Sequence, residues 1–330
     1  MGTKISGFGF YVPENIVTNY DLEKMFDTSN EWIVERTGIE ERRFITPNEM
    51  TTSDLSVNAT KKALEMANID AEELDLIIVA TMTSDYLIPG TAVIVQKKLG
   101  LKNIPAIDIR QQCSGFIYGL DMADLYIKSG RYKKILLVGA EVISTGLDLT
   151  DRGRDLAVLF GDGAGAFVLE NSQDGADIVD SIIHADGRYY KELWKKSPMA
   201  TKMGRITVED INTGKVFPQM NGKTVFKHAV TKMPAVVLEL LERNNLKTDD
   251  IAQIIPHQAN LRITQMVAKR LGLSMDKVYS NIHKYGNTTA GTIPIAFTEA
   301  FNENKFKRGD LVISVSFGSG FTWGANLIKF

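Results

Sequence analysis

Short apolar runs of strand length alternate with stretches of helical periodicity along almost the whole chain. That alternation constrains the fold more than any other feature. Leu74 to Met82 is a β-branched run, Pro89-Gly90 breaks the chain, and a helical stretch opens at Thr91 and ends at Gly100. Pro105 to Arg110 reads as a second, buried strand. Ser114 to Ser129 reads as a helix with Phe116, Leu120, Ala123 and Ile127 on one face, closed by Gly130. Ile135 to Gly139 is a third strand. Leu156 to Phe160 and Ala166 to Leu169 read as strands on either side of the turn Gly161-Asp162-Gly163-Ala164-Gly165. This order predicts an α/β fold with parallel crossovers.

The rest of the chain repeats the rhythm. Val225/Phe226, Ala229/Val230, Met233, Val236/Val237 and Leu240/Leu241 recur at helical spacing, with Pro234 inside the run predicting a kink. Ile251 to Pro256 is a strand, and Asn260 to Leu271 and Thr289 to Asn302 are helices. Leu311 to Phe317 and Phe321 to Ile328 are closing strands around a tight turn at Gly318-Ser319-Gly320. Two halves of similar content without readable identity point to an old duplication. Between them, residues 189–218 are polar, aromatic-bearing and poorly periodic, as expected of a surface excursion or lid.

Composition narrows the function classes. The one cysteine among 330 residues forms no internal disulfide, builds no thiolate zinc site and holds no iron–sulfur cluster. With 38 basic and 40 acidic side chains the net charge is -2, which argues against binding nucleic acid by bulk electrostatics. The longest apolar runs, such as Leu76 to Ala80, are too short to span a bilayer, and Met1 to Gly7 lacks the apolar core of a signal peptide. A cytoplasmic protein is the expectation.

Three residues share one kind of address. Cys113 lies between a strand and a helix, where the positive end of the helix dipole is expected to favour its thiolate. A buried structural cysteine fits that position equally well. His257, in Pro256-His257-Gln258, also follows a strand, where ligands gather in open α/β sheets. His184, reading as just past a strand, mid-helix His228 and His283 before the Gly286-Asn287 turn are weaker candidates. Asn287, in Gly286-Asn287-Thr288, suits a turn or helix cap, and its amide also suits donation to an oxygen gaining negative charge. Convergence of the three would bring together a nucleophile, a base and an oxyanion donor. The Gly161–Gly165 run lacks the strand-then-helix context of a dinucleotide loop, so a nicotinamide oxidoreductase is disfavoured.

Five motifs in order resemble one family along the whole chain. Cys113-Ser114-Gly115-Phe116, Gly161-Asp162-Gly163-Ala164-Gly165, Pro256-His257-Gln258-Ala259-Asn260-Leu261-Arg262, Gly286-Asn287-Thr288 and Phe317-Gly318-Ser319-Gly320-Phe321-Thr322-Trp323-Gly324 look like the β-ketoacyl-acyl carrier protein synthase III family. The resemblance implies a thiolase fold: duplicated βαβαβα halves in a five-layer α/β/α/β/α sandwich, usually a homodimer. Residues 1–172 would carry the nucleophile, and residues 173–330 the His and Asn. It implies decarboxylative Claisen condensation of an acyl-CoA with malonyl-acyl carrier protein through an acyl-Cys113 intermediate, initiating fatty acid synthesis without a cofactor or metal. His257 and Asn287 would stabilise the enolate formed on decarboxylation. The backbone N–H groups of Cys113 and of Ser319 or Gly320 would hold the acyl-transfer oxyanion.

Further roles carry over by match. Trp32, Arg36 and Arg152 match residues that hold the adenine and phosphates of CoA, and Gly222 and Asn260 match positions along the pantetheine tunnel. Lys227, Arg262, Lys269 and Arg270 match a basic patch for the acidic carrier protein. Ile88 and Phe317 fall at the acyl pocket. Ile88 replaces a phenylalanine that closes this pocket from the partner subunit, which would admit a longer or branched primer. The alternatives are a related thiolase-fold acyltransferase and a head-to-head acyl-CoA condensing enzyme of secondary metabolism. The latter carries a glutamate in the inserted loop, whereas Asp85-Tyr86-Leu87-Ile88 has only Asp85 acidic.

Overall fold

The computed structural model describes residues 2–196 and 206–330. Two sheets organise it. The first is built from β1 (Gly2–Tyr11), β2 (Leu76–Ala80), β3 (Ala106–Ile109), β4 (Lys134–Glu141) and β5 (Gly163–Ser172), in the spatial order β1-β5-β4-β2-β3. The second is built from β6 (Ile178–Ala185), β7 (Gln253–Pro256), β8 (Leu311–Gly318) and β9 (Thr322–Lys329), in the order β7-β8-β9-β6. A parallel bridge from Ile254 to Val278 extends the second sheet beyond β7. With that bridge counted as a fifth position, the sheets match in direction throughout. β1 and β6 pair antiparallel with β5 and β9, which pair antiparallel with β4 and β8, and those pair parallel with β2 and β7.

The period-2 alternation of buried strands explains the layering. In β2, Leu76, Ile78 and Ala80 face one core while Ile77 and Val79 face another, and Ile135/Leu137 and Leu136/Val138 divide in the same way in β4. In the second sheet Ile255 and Val312 face inward, and Ile254, Ile313 and Val315 outward. The helices follow these faces. α1 (Asn30–Thr37) lies in a small satellite core, and α2 (Thr52–Ala67) and α3 (Thr91–Lys98) cover the outside of the first sheet. α4 (Gly115–Lys128) lies between the sheets. α5 (Gly222–Arg243) and α6 (Leu261–Leu271) cover the outside of the second sheet, and α7 (Thr292–Asn302) joins α4 in the middle. Phe116, Leu120 and Ile127 of α4 share one core with Ile293, Phe297 and Ala300 of α7. The result is the expected five-layer α/β/α/β/α sandwich.

Several local expectations need correction. Residues 156–160 are not a strand: Arg154–Ala157 is a short helix, and Phe160 makes only a single bridge to Asn287. Their apolar side chains pack beside Ile33 and Phe44, so a buried turn carries the hydrophobicity of a strand. Gly163 and Gly165 belong to β5 itself, so the glycine run is not a turn between two strands. β3 is a half-exposed edge strand, because no described residue pairs with its far side. His184 lies inside β6 rather than after it. Within the 189–218 excursion, Leu193–Trp194 pairs with Gln219–Met220 and Val208–Asn212 forms a short helix; residues 197–205 lie outside the described residues.

Candidate active site

Cys113 and His257 each follow a strand, one in each sheet, whereas Asn287 follows the short helix Ile282–Tyr285. Beyond β3 the chain makes a tight 3-10 turn over Gln112–Ser114 and enters α4. Gln112 adopts φ 44, which turns the backbone so that Cys113 sits at the junction of the two sheets. Gly318, the last residue of β8, makes room for it: a Cβ there would stand 2.8 Å from the Cys113 Cβ. Ser316 Oγ donates to the Cys113 carbonyl at 2.7 Å, and Ser114 Oγ donates to the Thr322 carbonyl at 3.0 Å. Cys113, from one half, is thus clamped by the closing hairpin of the other.

His257 follows β7 directly and its imidazole is buried. Its Nδ1 lies 2.6 Å from Thr292 Oγ1, at the start of α7. Burial alone pulls its pKa down to about 3, so the ring is neutral at physiological pH. Asn287 is held by its backbone N–H donating to the Leu159 carbonyl at 2.8 Å and its carbonyl accepting from Gly161 N–H at 3.1 Å. Its Oδ1 accepts from the Thr289 N–H at 2.8 Å. That backbone donor settles which end of the amide is oxygen and leaves Nδ2 as the free donor.

The three side chains line one cavity of about 300 Å³. It runs from Cys113, His257 and Asn287 past Phe317, Asn260 and Gly222 to a mouth at Trp32 and Arg36. Asn260 caps α6 by accepting from the Arg262 N–H at 2.9 Å, and donates to the Arg36 carbonyl at 2.9 Å, which fixes one wall. Trp32 and Arg36 are one helical turn apart on α1, so the guanidinium lies 4.9 Å from the indole centre.

On its other side Cys113 borders a second, larger cavity of about 700 Å³. Its walls include Thr83, Tyr86, Leu87, Val142, Ile143 and Thr289. Ile88 does not line it but is 78% exposed at the tip of the loop after β2, and Phe317 lines the other cavity. Ile88 and Phe317 are therefore on different surfaces of this chain, and the expectation for Ile88 concerns the pocket of a partner subunit.

Two expectations change. The Cys113 thiol is not held low. Burial, reinforced by the nearby Glu141 carboxylate, pushes it up to about 12, against the opposing N–H groups of Cys113 and Ser319. The helix-end effect assumed a partly exposed sulfur, whereas this one is buried. Arg152 reaches neither cavity wall. It pairs with Asp148 at 2.6 Å and donates to the Asn212 carbonyl at 2.8 Å. Arg154, which the sequence reading did not single out, lies 4.9 Å from the Trp32 ring and donates to the Asp27 carbonyl at 3.1 Å.

Ser319 places its N–H toward the Cys113 sulfur and anchors its hydroxyl on the Leu193 carbonyl, whereas Gly320 borders neither cavity. Lys227 on α5 and Arg262, Lys269 and Arg270 on α6 are exposed on adjoining helices. Glu141 was also missed: it is wholly buried, accepting from the Met82 N–H at 2.9 Å and the Thr83 hydroxyl at 2.8 Å. Among the described residues, no group of three or more His, Cys, Asp and Glu is placed to hold a metal ion, and no helix is long and apolar enough to cross a membrane.

A duplicated five-layer sandwich with Cys, His and Asn at its sheet junctions defines the thiolase-fold condensing enzymes. Two family models, for 3-oxoacyl-[acyl-carrier-protein (ACP)] synthase III and its C-terminal part, match residues 107–187 and 241–330. The β-ketoacyl-[acyl-carrier-protein] synthase III of Caldanaerobacter subterraneus is 47% identical over 98% of this chain and 97% of its own. That of Aquifex aeolicus is 46% identical over the whole of both chains. The crystal structure of 3-oxoacyl-[acyl-carrier-protein] synthase III from Aquifex aeolicus superposes with a TM-score of 0.91 over the whole of both chains, at 45% identity. The chain belongs to the 3-oxoacyl-[acyl-carrier-protein] synthase III family. As a member it is an acyltransferase of the condensing type, which joins an acyl-CoA to malonyl-acyl carrier protein at the start of fatty acid synthesis.

Proposed function

We propose that the condensation runs through an acyl group carried on Cys113. The observation that carries this reading is the single cavity on which Cys113, His257 and Asn287 open and which reaches the surface at Trp32 and Arg36. The Cys113 sulfur attacks the acyl-CoA carbonyl, the bond from that carbon to the CoA sulfur breaks, and CoA leaves as the thiol with the cysteine's proton. The Cys113 and Ser319 N–H groups hold the oxyanion of this step. Malonyl-carrier protein then enters and loses carbon dioxide. The electron pair of the broken C–C bond becomes an enolate, whose oxygen accepts from His257 and from Asn287 Nδ2. A neutral imidazole and an amide supply two fixed donors in a dry site. The enolate carbon attacks the acyl-Cys113 carbonyl, the C–S bond breaks, Cys113 leaves as the thiolate and takes up a proton from solvent, and the 3-oxoacyl product leaves on the carrier.

The substrates occupy surfaces already described. Trp32 takes the adenine by stacking, with Arg36 and Arg154 for the phosphates. The pantetheine arm passes Gly222 and Asn260. Lys227, Arg262, Lys269 and Arg270 receive the acidic carrier protein, a local patch that steers association despite the net charge of -2. The enzyme works as a homodimer in the cytoplasm. The unpaired edge of β3 and the exposed Tyr86, Leu87 and Ile88 lie on one side of the sheet, as a symmetric partner would need. In that dimer the loop bearing Ile88 closes the partner's acyl pocket, and a side chain smaller than phenylalanine leaves room for longer or branched primers.

Intact-protein mass spectrometry tests the reading. The enzyme is exposed to straight and branched acyl-CoAs of about two to fourteen carbons, then chased with malonyl-carrier protein. One acyl mass added to the wild type, absent from Cys113→Ala and removed by the chase, is expected. A label that survives in Cys113→Ala would sink the mechanism.

A further inference from the structure

A side chain, not the backbone, carries the second sheet past Pro256. On the β8 side of β7 the His257 N–H donates to the Val315 carbonyl at 2.8 Å, so the alternate residues Ile254 and Pro256 face the opposite edge. There the Tyr279 N–H donates to the Ile254 carbonyl at 2.9 Å, as in a parallel pair. The next rung of such a pair falls two residues on. The N–H of residue 256 would meet the Tyr279 carbonyl, and the Asn281 N–H would meet the carbonyl of residue 256. Proline has no N–H, so this rung cannot form. Gln258 occupies the gap. Its Nε2 donates to the Pro256 carbonyl at 2.7 Å and to the Tyr279 carbonyl at 3.2 Å. Its Oε1 accepts from the Ser280 hydroxyl at 3.0 Å and from the Asn281 N–H at 3.2 Å. A backbone donor at one end and two carbonyls at the other settle the amide's orientation. The residue is 1% exposed and borders neither cavity.

We infer that Gln258 is a positioning residue that sets the spacing between His257 and Asn287. On one side it is joined to His257 by a peptide bond. On the other, the path from Asn281 to Asn287 is short and tied at each step. The Asn281 carbonyl accepts from the Lys284 N–H at 3.1 Å, and the Ile282 carbonyl accepts from the Gly286 N–H at 2.9 Å. Asn281 Nδ2 and the Tyr285 hydroxyl both donate to the Glu299 carboxylate on α7, at 2.9 and 3.0 Å. A direct rung joins two chains by single hydrogen bonds, whereas two hydrogen bonds in series across an inserted amide span more. The chains therefore part where His257 leaves one of them and the segment leading to Asn287 leaves the other. The consequence for catalysis rests on the proposed function. His257 and Asn287 must reach one enolate oxygen, and a donor pair of that kind has to be held to within about 0.5 Å.

The test uses the full-length enzyme. Gln258→Glu keeps the shape and the acceptor but loses at least one donation to the two carbonyls. Gln258→Met fills the space and loses every hydrogen bond of the amide. In crystals of each variant, Asn287 is expected to shift relative to His257 by more than about 0.5 Å, with Cys113 in place. Malonyl decarboxylation by the acylated enzyme should fall about 10- to 100-fold in kcat, with the KM for malonyl-carrier protein little changed. Cys113 acylation, read as intact mass, should stay close to wild type. Adding Pro256→Ala to Gln258→Met returns a backbone N–H to the rung. That pair should recover the melting temperature without recovering decarboxylation. An unchanged spacing between His257 and Asn287 overturns the inference. So does a fall of both half-reactions with the melting temperature that Pro256→Ala reverses in full, because the amide would then only patch the sheet. If Gln258→Met does not fold, the spacing and the two half-reactions in Gln258→Glu decide. If the wild type decarboxylates no malonyl-carrier protein, the proposed function fails, while the crystallographic spacing still decides the role of Gln258.

Discussion

The two halves build the same turn and put different chemistry on it. In the first half the chain leaves β3, passes Gln112 at φ 44, makes a 3-10 turn and enters the central helix α4. In the second it leaves the Val278 bridge, passes Thr289 at φ 48, makes a 3-10 turn and enters the central helix α7. The residue after the positive φ is Cys113 in one half and Ala290 in the other. Each turn needs a missing side chain from the opposite sheet. A Cβ on Gly318 would stand 2.8 Å from the Cys113 Cβ, and one on Gly139 would stand 2.2 Å from the Ala290 carbonyl oxygen. The duplication thus supplied two equivalent places where a backbone turn reaches the interface between sheets. One now holds Cys113, while the neighbourhood of the other holds Asn287, Thr292 and, through its contact with Thr292, His257. In the proposed mechanism, acyl transfer and decarboxylation divide between the halves along this line.

The sharpest way to break the division is to remove each member in turn. Cys113→Ala is expected to abolish covalent acylation outright, read as intact mass. His257→Ala and Asn287→Ala are expected to retain the acyl-enzyme while malonyl decarboxylation, followed by carbon dioxide release, falls about 10²- to 10³-fold. Loss of acylation in both second-half variants would mean that the halves do not separate the steps.

A smaller effect concerns the ends of the matching strands β4 and β8. Where β8 ends in Gly318, β4 ends in Glu141, a carboxylate raised by burial to about 7. An acid raised in the folded state weakens that state as pH climbs from the ordinary carboxylate value, about 4.5, through 7, because the unfolded chain ionises first. Glu141→Gln removes that slope. Relative to wild type, the variant should gain stability on the order of 3 kcal/mol between pH 4 and pH 8, whatever constant offset the amide introduces. Urea midpoints at the two pH values measure it, and an unchanged gap would show that Glu141 is ionised without penalty.

Much of this arrangement was legible in the sequence, and the misses share a cause. Short continuous apolar runs gave the buried strands, because a residue facing either core must be apolar. The addresses of Cys113 and His257 after strands anticipated that they line one cavity, whereas Asn287 reaches it from beyond the short helix Ile282–Tyr285. Glu141 was hidden because it ends the apolar run of β4, where a carboxylate reads as exposed; only the hydrogen bonds from Met82 and Thr83 in a distant loop account for it. Residues 156–160 misled because burial in a satellite core and burial in a sheet look alike over five apolar positions. The rise of the Cys113 thiol was also out of reach, since burial depth is a tertiary quantity that a helix-end argument does not contain.

The choice between Arg152 and Arg154 tests the finest distinction, that between motif and placement. Arg152 sits in the matched Asp151-Arg152-Gly153 motif, yet its guanidinium is spent on Asp148 and the Asn212 carbonyl. Arg154 lies one step outside the motif, with its guanidinium 4.9 Å from the Trp32 ring at the cavity mouth. A guanidinium over an aromatic face contributes about 0.5–2 kcal/mol depending on desolvation, and this one is half-exposed. Arg154→Ala should therefore raise the KM for acyl-CoA by roughly two- to tenfold, with kcat for the second half-reaction unchanged because CoA has already left. Arg152→Ala should leave that KM within about twofold and instead lower the melting temperature, since it strands the nearly buried Asp148 carboxylate. If Arg152→Ala carries the KM effect and Arg154→Ala does not, bound CoA draws Arg152 off Asp148, and the motif, not the resting geometry, marks the residue that holds the nucleotide.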